Sequence, residues 1–564
     1  MFVDSIQFYV AFVAIFVAVC VSSVLVFQRQ TPRTLTRKWA TIVLCVCATV
    51  AVVSWARFGD LHSIFVDAPD AQAGQPHRHK IEKHQAFHFH EFFHYYLGAK
   101  YFGSFGYEGL YDCTALADKE NAEEIGVKPH VTSGWVRDLD DVLRDKTYDD
   151  ALAHCENDFK AHMSAGRWAT FRADLRELQR LVPDDWWNDV VYDAGFNPPP
   201  SWCLLGGLIS NVIPIRFAGL PTYLVSTWLD MVLLVTCFVA LRTRFGLAAA
   251  ATAGVYFGAS FIASYGWNGG AFLRYTWVTA VVLGIAFARD GKWVLAGAFM
   301  GAAACDRLFP AGFAVGAAIP LAWRAFMEKS QEDRKRLLRY GMGFGGTIAA
   351  LVLVSTVVYG VGAWRVFFER ILKHGDVYYV MHIGLKKVIT WRDWVPSQNF
   401  HGHNGLQHFH DWNMHLHATW LESRWIAMPV QLVAGVGAAA ACIKRRPYEA
   451  ALILGSVAMF CFSLPANYYY VVLALVPALL VRAAMTAPRL AGRLRDWGVL
   501  MAFGLFWITT WLAPRMYQDD IVYDHFICCA LLAFYGVWIA AWLPWARLRQ
   551  LVTKRSAQPT AAQA

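Results

Sequence analysis

Apolar runs of 13 to 23 residues, broken by short polar segments, dominate the hydropathy pattern. A membrane-crossing helix needs about 20 predominantly apolar residues, fewer where neighbouring helices bury its ends. The first run, Gln7 to Phe27, ends in the acid-free basic stretch RQTPRTLTRK, and Trp39 to Ala56 returns across the membrane. Further runs cover Leu220–Leu241, Leu247–Ser264, Ala271–Ala288, Trp293–Cys305, Leu308–Trp323 and Tyr340–Tyr359. The last five are Pro429–Ile443, Ala450–Leu464, Tyr468–Val481, Gly498–Leu512 and Ile521–Leu543. The pattern predicts an all-α polytopic membrane protein with about 13 transmembrane helices. Trp202 to Ile213 is too short to cross and reads as a re-entrant or interfacial segment.

Between the runs, the pattern changes. Within GRWATFRADLRELQRLV, Trp168, Phe171, Leu175, Leu178 and Leu181 recur at helical spacing, which marks a folded helical domain. Asn197 to Pro200 then stiffens the re-entry into the membrane. After Gly360, Trp364, Phe367, Phe368, Ile371 and Leu372 form an amphipathic stripe suited to a helix lying on the membrane surface. These breaks divide the chain into two N-terminal spans (1–56), a first loop domain (57–200), a transmembrane core (201–360), a second, His-rich loop (361–427) and C-terminal spans with a tail (428–564).

Charge orients this arrangement. The chain carries +9 overall, yet Arg57 to Pro200 holds 15 Lys/Arg against 25 Asp/Glu. The basic residues elsewhere fall in alternate short loops, as the positive-inside rule requires, and give no reason to expect a nucleic-acid partner. The expected location is the plasma (inner) membrane, with the amino terminus and both large loops outside and the carboxy terminus cytoplasmic. The start lacks a basic leading region and a small-residue cleavage site, so it reads as a retained span. The twelve cysteines form no CxxC pair; Cys113 and Cys155 lie in the acidic loop and are free to pair if it faces an oxidising compartment, a choice the sequence leaves open.

Thirteen of the 19 histidines fall in two segments of the large loops: His62, His77, His79, His84, His88, His90 and His94, then His401, His403, His408, His410, His415 and His417. Such clustering suits a divalent metal or a lining of partly charged aromatics near anionic headgroups. His90-Glu91-Phe92-Phe93-His94 is a literal HExxH, in which two histidines one helical turn apart bind zinc and the glutamate is the base. Six of the 18 residues from His77 to His94 are histidine, so the match arises easily by accident, and no third ligand stands out.

A longer pattern runs from Glu91 through Tyr95-Tyr96-Leu-Gly-Ala-Lys100-Tyr101 to Leu110-Tyr111. It continues with Asn197-Pro198-Pro199-Pro200, Asn268-Gly269-Gly270 through Arg274, LAGAFMGAAACDRLFP ending at Pro310, Asn404-Gly405-Leu406 and Ala466-Asn467-Tyr468-Tyr469. In this order the segments resemble the polyprenol-phosphate-mannose-dependent mannosyltransferases of the GT-C superfamily of membrane glycosyltransferases. The family usually has aspartate where this chain has Glu91, and a lysine where it has Asp306-Arg307.

The resemblance implies a GT-C-like fold, a polyprenyl-phosphate sugar as donor substrate and no required cofactor. The acceptor would be a lipid, a glycan or a protein. It also implies Glu91 as the base that deprotonates the acceptor hydroxyl, with Asp60 and Asp67 as the acids next in line. Burial among Phe92, Phe93 and Tyr95 would raise the Glu91 pKa. Arg307, Arg274 and Lys100 are the expected phosphate contacts, with Tyr95, Tyr96, Asn268 and Asn404 completing the substrate site. Two other readings stand beside it. One is a membrane zinc metallopeptidase built on His90 and His94. The other is a non-enzymatic transporter, whose repeated halves and interrupted helices the sequence does not show.

Overall fold

The computed structural model describes residues 2–27, 34–67, 79–140, 144–182, 185–193, 195–217, 220–221, 223–375, 377–379, 381–391, 403–486, 490–517 and 519–545. Helices dominate them. Six are long and apolar enough to cross a bilayer: Ser5–Phe27, Arg37–Trp55, Gln331–Lys373, Arg424–Cys442, Leu490–Met516 and Asp520–Trp542. Shorter apolar helices occupy Leu247–Gly258, Thr276–Arg289, Trp293–Asp306, Ala311–Phe326, Pro447–Phe462 and Asn467–Ala483. The chain is thus a mostly helical, multi-pass membrane protein. Each predicted run overlaps a helix, though Tyr340–Tyr359 is only the middle of Gln331–His374 and Tyr468–Val481 opens as a 3-10 segment.

Close helix approach holds the core together. Gly297 and Gly301, one turn apart on Trp293–Asp306, face the helix Gln331–His374. A Cβ on Gly297 would stand 2.0 Å from the Tyr340 carbonyl oxygen, and one on Gly301 would stand 2.7 Å from that of Phe344. Small residues at this spacing let two backbones meet in a medium where apolar burial gives little drive to associate. The long helix is itself broken at Gly360, whose φ of 80° and ψ of 160° lie in a region that essentially only glycine occupies. Beyond the break, Phe367 is buried, with Trp364 and Ile371 packed beside it against the first loop domain, while Phe368 and Leu372 are exposed. The amphipathic stripe therefore docks its inner face on protein rather than lying wholly on lipid.

The first loop domain has its own aromatic core. Helices Gly109–Ile125 and Ala165–Gln179 pack together, and the predicted stripe of Trp168, Phe171, Leu175 and Leu178 is buried, with Leu181 half-buried just past the helix end. Cys113 and Cys155 form a disulfide that ties Gly109–Ile125 to the segment after Tyr148–His154. Two short hairpins interrupt the helices of this domain. His62–Asp67 pairs antiparallel with His79–Gln85, and Trp135–Arg137 with Asp145–Thr147. Ile64, Phe65 and Val66 favour extended backbone, and a run of only six residues gives no helical period to outweigh them. The expected re-entrant segment is a 13-residue helix, Pro200–Val212, started by Pro200 at a position where its missing N–H costs nothing.

Candidate functional site

Where the first loop domain meets the helical core, a cavity of about 1200 Å³ opens. Its wall carries Glu91, Tyr95, His90 and His94 from the stretch after the hairpin, and Arg307 from the end of Trp293–Asp306. Tyr468 and Tyr469 come from the 3-10 segment Asn467–Ala474. Asn197 and Pro199 come from the re-entry turn. Four distant parts of the chain thus build one site.

Glu91 sits on a short helix, Phe89–Phe92, capped by His88, whose ring nitrogen accepts the Glu91 N–H at 3.4 Å. Its carboxylate is paired directly with the Arg274 guanidinium; the two side chains are 14% and 2% exposed. Arg274 stands one layer behind the wall. It donates to the Tyr469 hydroxyl at 3.0 Å, and its guanidinium lies 4.5 Å from the ring centres of both Tyr95 and Tyr468. The Tyr469 hydroxyl accepts a second bond from Arg307 Nε at 3.2 Å, and Arg307 Nη1 reaches the Asp306 carboxylate at 3.2 Å. Glu91, Arg274, Tyr469, Arg307 and Asp306 form one unbroken polar chain, with an acid at each end and the two arginines inside. Beside it, the Tyr95 hydroxyl meets Asn197 at 3.4 Å.

Arg274 is positioned by a residue the sequence reading missed. Asp230, fully buried on the helix Tyr223–Phe245, accepts the backbone N–H groups of Arg274 and Tyr275 at 3.1 and 3.3 Å. A lone acid in the middle of an apolar run is the signal that could have found it, since intramembrane carboxylates persist only where partners hold them.

Other expected site residues lie elsewhere. Lys100 is buried in an ion pair with Asp174 at 2.6 Å, inside the first loop domain, and is no phosphate contact in this arrangement. Tyr96 donates to the Ile213 carbonyl at 2.6 Å and packs on Phe92, fixing the Pro200–Val212 helix. Asp60 pairs with Arg57 at 3.2 Å in the turn after the second helix and does not line the cavity. Asn268 is buried against Tyr275, while its neighbours Gly266 and Trp267 reach the wall. Asn404 falls on the helix His403–Glu422 and Asp67 on the strand His62–Asp67, but their side chains lie outside what the structure describes, and His77 lies outside the described residues altogether. No described side chain of that helix lines the cavity; Asp189, Tyr192, Asp193, Tyr379, His382 and Lys386, which the sequence did not single out, do.

The HExxH stretch is not regular α-helix throughout. The turn widens to a π-helix at Phe93–Leu97, starting between the two histidines. His90 stacks on Trp186 at 5.5 Å. His94 has Nε2 2.6 Å from the Tyr111 hydroxyl and Nδ1 3.5 Å from Asp193, so both ring nitrogens are engaged. Burial lowers the pKa of both imidazoles, with Asp193 opposing it. Among the described residues, no three His, Cys, Asp or Glu side chains converge as a metal site.

Fold and cavity define a multi-pass helical membrane protein with carboxylates and arginines in one polar chain at a cavity between the first loop domain and the helical core. No family model, curated protein or solved structure matches the chain.

Proposed function

We propose that the protein is a membrane glycosyltransferase that moves a sugar from a polyprenyl-phosphate donor to a lipid, glycan or protein acceptor. In this reading the chain has about thirteen crossings in the plasma (inner) membrane, with the first loop domain outside and the carboxy terminus cytoplasmic. The Cys113–Cys155 disulfide supports an oxidising side for that domain. The observation that carries the reading is the shared cavity, with Glu91 and Arg307 on one wall joined through Arg274 and Tyr469.

The chemistry is a single displacement with inversion. The acceptor oxygen forms a bond to the anomeric carbon while the bond from that carbon to the phosphate oxygen breaks. The acceptor's proton passes to Glu91, and the polyprenyl phosphate leaves with the electron pair. Arg307, whose Nε and Nη1 are held by Tyr469 and Asp306, turns Nη2 to the departing phosphate. Tyr469 fixes the orientation of both arginines before substrate arrives, so little reorganisation accompanies the charge transfer. Phe309, Leu308, Gly312, Ala458 and Phe462 extend the cavity along an apolar wall that suits a prenyl chain.

The test is release of polyprenyl phosphate from labelled polyprenyl-phosphate sugars by membranes holding the protein. Glu91→Gln is expected to slow release by about 10²–10⁴-fold, the usual contribution of a general base. Release unchanged by Glu91→Gln would remove Glu91 as base. A panel of hexose and pentose donors that all stay intact with wild-type protein would overturn the reading itself.

A further inference from the structure

A second recess, of about 430 Å³, lies at the other end of the bundle. Two helices fix its position. Thr276–Arg289 starts just after Arg274 and ends in the recess at Arg289; Pro447–Phe462 starts there at Tyr448 and ends at the Glu91 cavity. Fourteen residues at 1.5 Å each separate the two sites by about 20 Å.

The wall consists of Thr243, Arg244, Arg289, Asp290, Arg446 and Tyr448. Its single carboxylate, Asp290, is taken by Arg244 at 2.9 Å. Arg289 rests on the Phe245 ring at 4.8 Å, and Arg446 donates to the Tyr448 hydroxyl at 2.6 Å. Among the described residues neither makes an ion pair. Glu449 lies beneath, where it accepts the Arg446 backbone N–H at 3.3 Å and feels Arg445 as well. Arg482, which donates to the Phe245 carbonyl at 3.1 Å, stands close enough to Arg289, Arg446 and Arg37 to be repelled by all three.

A surplus of arginine at this end follows from membrane topology, which asks only that the basic residues be on one side. It does not ask them to converge on one pocket with a phenol, where like charges raise the energy unless an anion enters. We propose that the recess is a phosphate-binding site, taking the head of an anionic phospholipid or a soluble phosphate. Basic pockets between transmembrane helices at the headgroup level are the usual form of such sites. Arg289 and Arg446 supply the forked donors, and the Tyr448 hydroxyl adds a neutral one. The inference is independent of the transfer reaction.

Native mass spectrometry of the full chain, in micelles doped with phosphatidylglycerol or phosphatidylcholine, tests it directly. Wild-type protein should retain phosphatidylglycerol about tenfold or more over phosphatidylcholine. The paired change Arg289→Gln and Arg446→Gln should remove that preference, whereas Arg242→Gln, a basic residue at the same end but outside the recess, should leave it. Inorganic phosphate that displaces the lipid at millimolar concentration supports a soluble ligand; retention untouched by phosphate supports a lipid head. The wild-type arm stands whether or not the paired variant folds. No preference in wild type overturns the proposal. Equal loss in Arg242→Gln reveals diffuse charge attraction and overturns it as well.

Discussion

Replacing Glu91 by Gln, Arg274 by Gln, and then both, measures how far the site depends on its central pair. The two side chains are 14% and 2% exposed, so water screens them little. Removing one partner of a buried pair costs about 3–5 kcal/mol, because the other charge stays behind. In Glu91→Gln, Arg274 keeps the Tyr469 hydroxyl at 3.0 Å and the faces of Tyr95 and Tyr468 at 4.5 Å. Contacts of that kind offset about 1–2 kcal/mol, which leaves an expected loss of about 1–4 kcal/mol. Arg274→Gln strands the carboxylate and also strips Tyr469 of one donor, so its loss should be larger. The double variant places two neutral amides together and should fall short of the summed single losses by about 2–3 kcal/mol. Denaturation in detergent micelles followed by tryptophan fluorescence gives all four values. Losses that add to within about 0.5 kcal/mol would refute the pair as an energetic unit.

Three further outcomes follow from other parts of the molecule. His94 is buried with its pKa lowered, so the unfolded chain binds a proton that the folded one refuses. Its contribution to stability is complete above the unfolded value of about 6.5 and is lost as pH falls below it, while His154, raised by its bond to Asp112, contributes fully below 6.5 and loses that as pH rises through its folded pKa. Denaturation of His94→Asn and His154→Asn at pH 5 and 8 should show these opposite slopes removed. Gly360→Ala forces a side chain into the φ 80°, ψ 160° conformation and should cost about 1–3 kcal/mol in a thermal melt, with Gly362→Ala, which has open space around it, as the neutral control. Cys113→Ser opens a loop with a sequence separation of 42 and should cost roughly 2–4 kcal/mol, seen as faster proteolysis between Gly109 and Gln179.

The parts legible in the sequence are those governed by local pattern. Apolar run length located the helices, and the 3.6-residue period located Trp168, Phe171, Leu175 and Leu178 in a core. Of the expected site residues, Glu91, Tyr95 and Arg307 do share a cavity, with Arg274 one layer behind. What could not be read is pairing over distance. Lys100 and Arg274 look alike as free cations, yet one is claimed by Asp174, 74 residues on, and the other by Glu91. The Tyr469 hydroxyl that joins two arginines leaves no periodic trace. The widened turn at Phe93 is likewise invisible to the HExxH template, which assumes regular helix.

The polar chain through Tyr469 also sets an order of assembly. Arg274 and Tyr469 are 195 residues apart, and at ordinary synthesis rates the tyrosine is made roughly 10–40 s after the arginine. During that interval Arg274 sits in a growing bundle without the Tyr469 hydroxyl, with Tyr95 its earlier phenol. Glu91, made earlier, is the charged partner already present. The carboxylate placed at the centre of the finished site is thus the group that shelters a charged side chain while the remaining helices arrive. A variant lacking it meets its first difficulty on the ribosome, before any substrate is encountered.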